Sequence, residues 1–564
     1  MKRINRKSLW LVLLIAVLMM FTACGGGDDA DNGDQDSAES DIPDEEMGEL
    51  VPDLTFLSSL PEANMVNYEM AQEVAEELQA LGVNAESQPM DFAVLLDVLY
   101  GEEMDYDAYT IGWSGRIERL DPDMFIHSIN HSDNAGPGGN NTNRYRNPEF
   151  DEVADAQRRE MDINARRELV FEAQRILAED VPKITMYSRA NMQTYNKELF
   201  EDVINIPGEG LFNEWTPFSI KPLTDETVLT VASNVNIDDM NPLSSLSVYG
   251  WRNLRLIYDK LVRLSPTIEP EPWAAEKWEI VDDTTIDVVL RQGMTFHDGE
   301  PVTVEDVKFS YELFIDENVE YFASFLNPIE SVEVTDENTV RFTLEEPYAP
   351  FITNTLAQIP ILPKHIWENI ENPVQYTNED AIGSGPFKLE RFQTGEELVL
   401  SRFDDYFEPV HIDGYIFQIF ASPEGVLTAL ELGNVHMVSY DLVPSHTEQI
   451  ANNDGGRYDH LELTEADDIG FFYIGMNLDR KPFDNKAFRI ALAHLVDYDL
   501  ALDVHLNGYG ARGGGGLTIV EANEFWHNPD VPIYDTYDPA RAREILAEAG
   551  FTWDSEGRMR MPVE

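Results

Sequence analysis

The chain has 564 residues, 43% hydrophobic and 10% aromatic, which is enough apolar material for several cores and too much for a disordered chain. Its 105 acidic and 39 basic residues give a net charge of −66, which argues against nucleic acid as a partner because phosphate binding needs basic surface. A single cysteine excludes an intramolecular disulfide and any metal site built from several cysteines.

The first 24 residues are typical of an export signal. Four basic residues within positions 2–7 precede residues 9–21, an unbroken run of 13 apolar side chains. A run of this length is a signal-peptide core rather than a membrane-spanning helix. The following Thr22-Ala23-Cys24 resembles the end of a bacterial lipoprotein signal, which implies a signal peptide at 1–23 and lipidation at Cys24. The alternative is an uncleaved anchor with Cys24 as a bystander. Either way we expect an exported body held at the cell membrane.

Residues 24–50 form a strongly acidic segment. Positions 25–50 contain 11 acidic residues and no basic ones. Such a segment buries too little apolar surface to fold, and its self-repulsion extends it, so we expect a disordered linker between lipid and body. The rest of the chain is acidic as well, which indicates a solvated surface suited to high external salt. Recruitment of cationic ligands is the alternative.

Helix and strand patterns alternate through the body, which predicts the α/β class. Apolar residues recur at helical spacing over 71–78, and Gly82 follows as a helix stop. Residues 284–290 predict a strand, and alternating apolar residues on both sides of 336–338 predict a hairpin. Asp538-Pro539 predicts a capped helix start and Gly550 the end of that helix.

Several short motifs occur together in the body. They are PWAAEKW at 272–278, FHDGEPVT at 296–303, EDVKFS at 305–310, LPKH at 362–365, GSGPF at 383–387, IGWSG at 111–115, YRNPEFD at 145–151 and AEDVP at 178–182, with further segments at 477–483, 489–492 and 537–550. Together they resemble family 5 extracellular solute-binding proteins, the receptors of peptide, nickel and related ABC importers, over nearly all of residues 51–564. This resemblance implies an α/β, two-lobed periplasmic-binding-protein fold of type II, a hinged clamshell that closes about its ligand.

The order of these motifs differs from the order in the family. There, the block found here at 51–222 follows the block found at 223–564, so the chain resembles a circularly permuted member. Permutation is tolerable when the original termini lie close together at the surface. The resemblance implies that residues 51–181 and 479–564 form the two halves of lobe II and that 182–478 form lobe I. The alternative is a non-functional remnant of a duplicated or misassembled gene.

The resemblance places candidate ligand contacts in the cleft between the lobes. Trp113 belongs to the family's cleft motif and would stack on a ligand or pack in the core. Peptide receptors of the family often have an aspartate shortly after this motif, which binds the amino terminus of the peptide. The matching position here is Arg116, whose guanidinium would favour a ligand carboxylate or pair with a neighbouring acid at the rim.

Further candidates come from the other block. Tyr440 and Asp441 resemble a Tyr-Asn pair at the cleft of peptide-binding members, and Asp441 would bind an amino group opposite Arg116. The aromatic residues Tyr249, Trp251 and Tyr473 are also candidates, each as consistent with a core position as with a ligand contact.

The histidines do not form a recognisable metal motif. His297 and Asp298 belong to a segment that is structural in the family. His127 and His131 have i,i+4 spacing, but they precede a loop rich in Gly and Asn and lack the context of a zinc-binding helix. We therefore expect no metal site and no cofactor, with binding of a nickel complex as the alternative.

The predicted function is a membrane-tethered receptor that delivers a peptide or peptide-like solute to the permease of an ABC importer. Its ligand would stabilise the closed state. The sequence contains no G-x-S-x-G or H-E-x-x-H motif and its one cysteine is assigned to lipid, so we expect no enzyme and no catalytic residue. The alternative is a ligand sensor or chaperone-like binder of the same fold.

Overall fold

The computed structural model describes residues 47–61, 63–115, 119–237, 239–245, 247–319 and 322–563. The predicted signal peptide, Cys24 and most of the acidic linker lie outside these residues. Arg116 lies outside them as well.

Short strands and helices alternate along the described chain, which confirms the α/β class. The strands are β1 (Leu54–Ser59), β2 (Ala85–Met90), β3 (Ala108–Trp113), β4 (Lys183–Asn196), β5 (Phe200–Glu201), β6 (Lys221–Pro222), β7 (Val228–Ser233), β8 (Val262–Leu264), β9 (Pro270–Pro272), β10 (Ala275–Asp282), β11 (Thr285–Leu290), β12 (Ile329–Val334), β13 (Thr339–Leu344), β14 (Phe387–Gln393), β15 (Glu397–Arg402), β16 (Gly414–Ile419), β17 (Met437–Val438), β18 (Leu461–Asp467), β19 (Phe471–Met476), β20 (Gly510–Arg512), β21 (Thr552–Trp553) and β22 (Met559–Arg560). The α-helices are α1 (Met65–Ala80), α2 (Phe92–Tyr100), α3 (Pro148–Arg159), α4 (Ile163–Asp180), α5 (Thr216–Ser219), α6 (Val248–Leu254), α7 (Val304–Asp316), α8 (Ala323–Leu326), α9 (Lys364–Trp367), α10 (Pro423–Glu431), α11 (Pro444–Asn452), α12 (Lys486–Ala493) and α13 (Pro539–Glu548).

The elements with the strongest sequence signals form where we expect them. Helix α1 covers the periodic segment, and Gly82 follows it with a φ of +85°, a conformation that favours glycine. Helix α13 begins at Pro539, where the Asp538 side chain accepts a hydrogen bond from the backbone N–H of Arg541. Strands β12 and β13 pair in antiparallel fashion as the predicted hairpin, and β11 completes that sheet together with β10.

Strand β4 connects the two ends of the main sheet. The described part of this sheet has the order β14-β15-β16-β7-β17-β4-β19-β3-β1-β2, with β18 and β20 also paired to β4. The first half of β4 pairs with β19 and β20, and its second half pairs with β18 and β17. Residues 188–193 of this long strand therefore lie at a junction, between the strands that pair with its first half and those that pair with its second half.

Buried apolar side chains divide into cores on either side of this junction. The largest core draws almost all of its members from residues 200–469. A second core combines residues 51–108, 181–187 and 474–559, and a third combines 57–177 with four residues between 471 and 526. The start of β4 and all of β19 thus pack with segments from both ends of the described chain.

The segments near the two ends of the described chain are hydrogen-bonded to each other. The backbone N–H of Val51 donates to the carbonyl of Met559 at 3.0 Å. Deeper in the same part, the buried guanidinium of Arg489 on α12 donates to the carbonyl oxygen of Asp180 at 2.7 Å. Backbone and buried polar contacts therefore join the 51–181 and 479–563 segments, which residues 182–478 separate in the sequence. In the described part of the chain, no helix combines the length and apolar character that a membrane crossing requires.

Candidate solute-binding site

A cavity of about 220 Å³ lies at β4, where this strand passes between the largest core and the second and third cores. Its walls come from the segments that follow β3, β17 and β18, from the middle of β4, from a loop at 208–209 and from the start of α6. The lining consists of Ser114, Gly115, Asn191, Gln193, Gly208, Glu209, Val248, Tyr249, Arg252, Ser439, Tyr440, Asp441 and Asp468.

Asp441 follows β17 and presents its carboxylate to the cavity. With its nitrogen turned toward the carboxylate, the amide of Asn191 donates to both oxygens, at 3.0 and 3.1 Å. Loss of hydration in the enclosed site, followed by the nearby charge of Asp468, raises the pKa of Asp441 to about 6, and Arg252 opposes this rise. Asp441 remains exposed to solvent. Ionisation of its carboxyl group therefore destabilises the folded protein by less than the shift in its pKa would indicate.

Asp468 is the second carboxylate, and it sits in the turn between β18 and β19. Burial raises its pKa, although the backbone N–H of Gly470 donates to Oδ1 at 2.9 Å. A side chain at Gly115 would place its Cβ 1.8 Å from the same oxygen, so the glycine is required for this close approach. Asp468 also lines an adjoining cavity of about 390 Å³ that extends toward Arg512 and His527.

Arg252 does not neutralise these two aspartates. Its Nε lies 3.3 Å from Oε1 of Glu209, and Arg255 lies 3.5 Å from the same oxygen. Glu209 therefore already has two guanidinium partners. Among the described residues, no lysine or arginine forms an ion pair with Asp441 or Asp468, which leaves two negative charges in the cavity.

Two hydroxyl groups add hydrogen-bonding capacity to the same wall. Oγ of Ser439 and the phenol oxygen of Tyr440 are buried and have no hydrogen-bond partner among the described residues. Burial raises the pKa of Tyr440 to about 12, so its hydroxyl is a neutral donor and acceptor at physiological pH. Unpaired buried polar groups are costly, and a polar ligand would satisfy them.

Three of the residues suggested by the sequence line this cavity together: Tyr249, Tyr440 and Asp441. Trp113 is partly exposed at the end of β3, one residue before the cavity wall, and the Arg119 guanidinium lies 5.0 Å from its ring centroid. The predicted role of Arg116 opposite Asp441 concerns a residue outside the described part.

The structure places Trp251 and Tyr473 in cores and not at the cavity. The Trp251 indole N–H donates to the carbonyl of Ser245 at 2.9 Å, and its ring packs edge-on against Phe322. Tyr473 is 2% exposed and packs against Tyr109. Both satisfy the core alternative that the sequence left open for them.

Arg252, Asp468 and Asn191 are cavity residues that the sequence analysis did not identify. Arg252 lies three positions after Tyr249, so helical periodicity places both on one face of α6 and Trp251 on another. That spacing was a usable signal. Asp468 had none, because one aspartate among 105 acidic residues does not stand out.

The histidines divide into a structural one and a cluster. His297 hydrogen-bonds Gly383 and Gly385, and burial lowers its pKa to about 4, in keeping with a structural role. His127 and His131 lie close to Asp155, a group whose donor atoms lie within 4.8 Å of one another. None of these three residues lines either of the two cavities.

Comparison with known proteins relates the chain to one family of proteins. A family model described as bacterial extracellular solute-binding proteins, family 5 middle, matches residues 269–564. The oligopeptide-binding protein AppA of Bacillus subtilis (strain 168) is 27% identical over 308 residues, covering 52% of this chain and 54% of that protein. The dipeptide-binding protein of Escherichia coli (strain K12) is 27% identical over 318 residues, covering 52% of this chain and 58% of that protein.

Among solved structures, a nickel ABC transporter from Bacillus halodurans aligns with a TM-score of 0.46 at 23% identity, over 60% of this chain and 66% of that one. The chain spans little more than half the length of the two curated relatives. The family model, however, covers more than half of this chain. The chain therefore belongs to the bacterial extracellular solute-binding proteins of family 5.

Proposed function

We propose that this chain is the membrane-tethered, substrate-binding component of an ABC importer, and that it captures a peptide or peptide-like solute by its ammonium group. The observation that supports this most directly is the pair of carboxylates, Asp441 and Asp468, which face one cavity without a cationic partner among the described residues. Capture and delivery require no chemical step, so no catalytic residue is assigned.

Charge selects the ligand group in this proposal. Two carboxylates in a partly desolvated site are costly as long as they lack a partner, and a bound ammonium offsets both costs at once. The hydroxyls of Ser439 and Tyr440 would accept from or donate to the adjoining amide of the solute. Two relatives are named as oligopeptide- and dipeptide-binding proteins, which agrees with an amino-terminal ammonium as the recognised group.

We further propose that the body has two lobes that meet near residues 188–190 and 467–470, with the segments 51–187 and 471–564 forming one lobe. The two groups of cores and the contact between Val51 and Met559 support this arrangement. A reordered gene that encodes 223–564 before 51–222 should then yield a protein with the same ligand binding and an equal or higher melting temperature. Failure of that protein to fold would contradict the permuted arrangement.

Thermal unfolding with a peptide panel tests the function. The probes are dialanine, trialanine, di- and tripeptides of mixed sequence, and glutathione. Each peptide is tested with a free amino terminus and in its N-acetylated form. A ligand at about 100 times its dissociation constant adds about 2.7 kcal/mol to the free energy of unfolding. We expect free-amine peptides to raise the melting temperature and their N-acetylated forms to leave it unchanged.

Variants connect the result to the cavity. Asp441→Asn and Asp468→Asn should each weaken peptide binding at least tenfold. Asp405→Asn, which alters an exposed carboxylate elsewhere, should bind as the unmodified protein does. Equal binding of acetylated and free peptides, or unchanged affinity in both cavity variants, would exclude ammonium capture.

A further inference from the structure

Two histidines and an aspartate from separate elements converge outside the solute cavity. His127 lies in a π-helical turn, Met124–Ser128, and His131 directly precedes the short helical turn Ser132–Asn134. Asp155 comes from the middle of α3. Its Oδ1 lies 3.4 Å from Nε2 of His127 and 3.5 Å from Nε2 of His131.

These distances resemble those of a coordination sphere. A tetrahedral ion with metal–ligand bonds of about 2.0–2.1 Å has neighbouring ligand atoms roughly 3.3 Å apart. Both Nε2 atoms face Oδ1 of Asp155, and the two imidazole rings stack at 4.3 Å with an interplanar angle of 17°. Nearly parallel rings direct their nitrogen lone pairs side by side, so one ring must rotate before both nitrogens can bind one ion.

His131 provides a second, independent indication of a ligand. Its side chain is only 8% exposed, and its buried Nε2 has no hydrogen-bond partner among the described residues. Nδ1 of the same ring accepts a hydrogen bond from the backbone N–H of Asp133 at 3.1 Å. A buried ring nitrogen that faces a carboxylate without hydrogen-bond geometry is costly, and a bound cation would remove that cost.

We propose that this cluster binds one divalent transition-metal ion, of the class that includes Zn²⁺ and Ni²⁺, through His127, His131 and Asp155. Imidazole nitrogen with carboxylate oxygen suits these ions better than Mg²⁺ or Ca²⁺, which prefer oxygen alone. Asp151 is one turn earlier on α3, with Oδ1 3.8 Å from Nε2 of His131, but this oxygen already accepts a hydrogen bond from the backbone N–H of Ser132. Binding through Nε2 of His131 moves the ring proton to Nδ1, which ends the hydrogen bond that Nδ1 accepts from the backbone N–H of Asp133, so the Asp133 carboxylate, 3.8 Å away, must move closer to accept from Nδ1.

Two arginines border the cluster. Nη1 of Arg158 donates to Nε2 of His127 at 3.5 Å, so this guanidinium must move aside for an ion, and its Nε already lies 3.1 Å from the Asp123 carboxylate. Arg159 lies 3.5 Å from Oδ2 of Asp155, the oxygen that does not face the histidines. Because the cluster lies outside the solute cavity, this metal site does not depend on the proposed transport function.

Metal titration of the purified full-length protein tests the proposal. After removal of bound metal with a chelator, Zn²⁺ and Ni²⁺ are titrated by calorimetry, and Co²⁺ is titrated by visible absorption. Excess Mg²⁺ and high salt suppress diffuse binding to the acidic surface. We expect one site per chain and a Co²⁺ absorption band of tetrahedral or five-coordinate intensity.

Variants locate the site. His131→Gln and Asp155→Asn should each weaken binding at least tenfold and abolish the Co²⁺ band, whereas His411→Gln, at an exposed position, should leave both unchanged. A metal-free melting curve confirms that each variant is folded, and His127→Gln replaces any variant that is not. Equal metal binding by the variants and the unmodified protein, or no saturable site, would overturn the proposal.

Discussion

Asp121 is buried in protein, whereas Asp441 is exposed to the cavity, and the two carboxylates differ in their partners. Asp121 is buried and forms a bidentate pair with Arg166 on α4, with N–O distances of 2.6 and 2.8 Å. Burial alone would raise its pKa, but the charge and hydrogen bonds of Arg166 outweigh burial and lower it. Asp441 has no such cation, and its pKa is raised to about 6.

This contrast separates a carboxylate that stabilises the fold from one that we propose binds a ligand. The Asp121 carboxylate also accepts a hydrogen bond from Thr353, which directly follows Ile352 of the largest core, so the pair connects α4 to that core. The cavity aspartates lack a comparable partner among the described residues. A partly desolvated charge without a partner destabilises the free protein and favours the bound state, as expected of a binding site.

The largest expected effect comes from breaking the structural pair. Arg166→Met leaves the Asp121 charge buried and unpaired, and we expect it to lower the free energy of unfolding by about 3–5 kcal/mol in urea denaturation. Replacing both residues, with Asp121→Leu added, should recover most of that loss. As a control, Arg541→Met at an exposed pair on α13 should cause no measurable change. A small loss from Arg166→Met would show that the pair is dispensable and would remove the contrast with Asp441.

A smaller effect of opposite sign is expected at the cavity. The pKa of Asp441 is about 6 in the folded protein and near 3.8 when unfolded, so the folded state binds more protons between these values. The contribution of Asp441 to the free energy of unfolding should therefore decrease as pH rises from about 4 to 6, which is seen as the difference between the unmodified protein and Asp441→Asn. Asp441→Asn removes this cost, and after allowance for water in the cavity we expect a gain of about 1 kcal/mol at pH 7.5.

The pH dependence provides the control for that prediction. The difference between Asp441→Asn and the unmodified protein should shrink as pH falls below 6 and vanish at about pH 3, below the unfolded pKa of 3.8, where the carboxyl group is protonated in both states. A variant that is less stable at pH 7.5, or a difference that persists at about pH 3, would mean that the carboxylate contributes to folding as Asp121 does.

The smallest expected effect concerns the close approach of Gly115 to Asp468. Gly115→Ala introduces a Cβ that must displace the carboxylate, and we expect a loss of about 1 kcal/mol in ligand binding with little change in the melting temperature. Calorimetric titration with the tightest peptide of the panel measures it. Gly136→Ala, where a Cβ would meet nothing within 4 Å, is the matched control. Equal affinity in both variants would place Asp468 outside the binding site.

Much of the fold could be predicted from the sequence, because its signals are local. The capping of α13, the β12–β13 hairpin and the family motifs all depend on neighbouring residues. The positions where the chain passes between the cores could not be predicted as precisely. They depend on which partners β4 and β19 pair with, and those strands come from distant parts of the sequence.

The candidate site was predictable only in part. Tyr249, Tyr440 and Asp441 were identified, whereas the aromatic residues Trp251 and Tyr473 lie in cores, because an aromatic side chain suits either environment. The proximity of Asp155 to the two histidines could not be predicted, because Asp155 lies 24 positions after His131 and meets it only through the packing of α3. Spacing along the chain detects ligands on one helix but not ligands from two elements.

Proton release on ligand binding tests the central claim most directly. Calorimetric titration with the tightest free-amine peptide, in two buffers of different ionisation enthalpy, gives the number of protons exchanged. An ammonium that pairs with Asp441 should expel about 0.5 proton at pH 6, where the free carboxyl group is half protonated. At pH 8 the sign should reverse, because a peptide amine with a pKa of about 7.7–8.0 must take up a proton to bind. Asp441→Asn should lose the release at pH 6 and retain the uptake at pH 8. Zero or inward proton exchange at pH 6 would contradict capture of an ammonium group by this carboxylate.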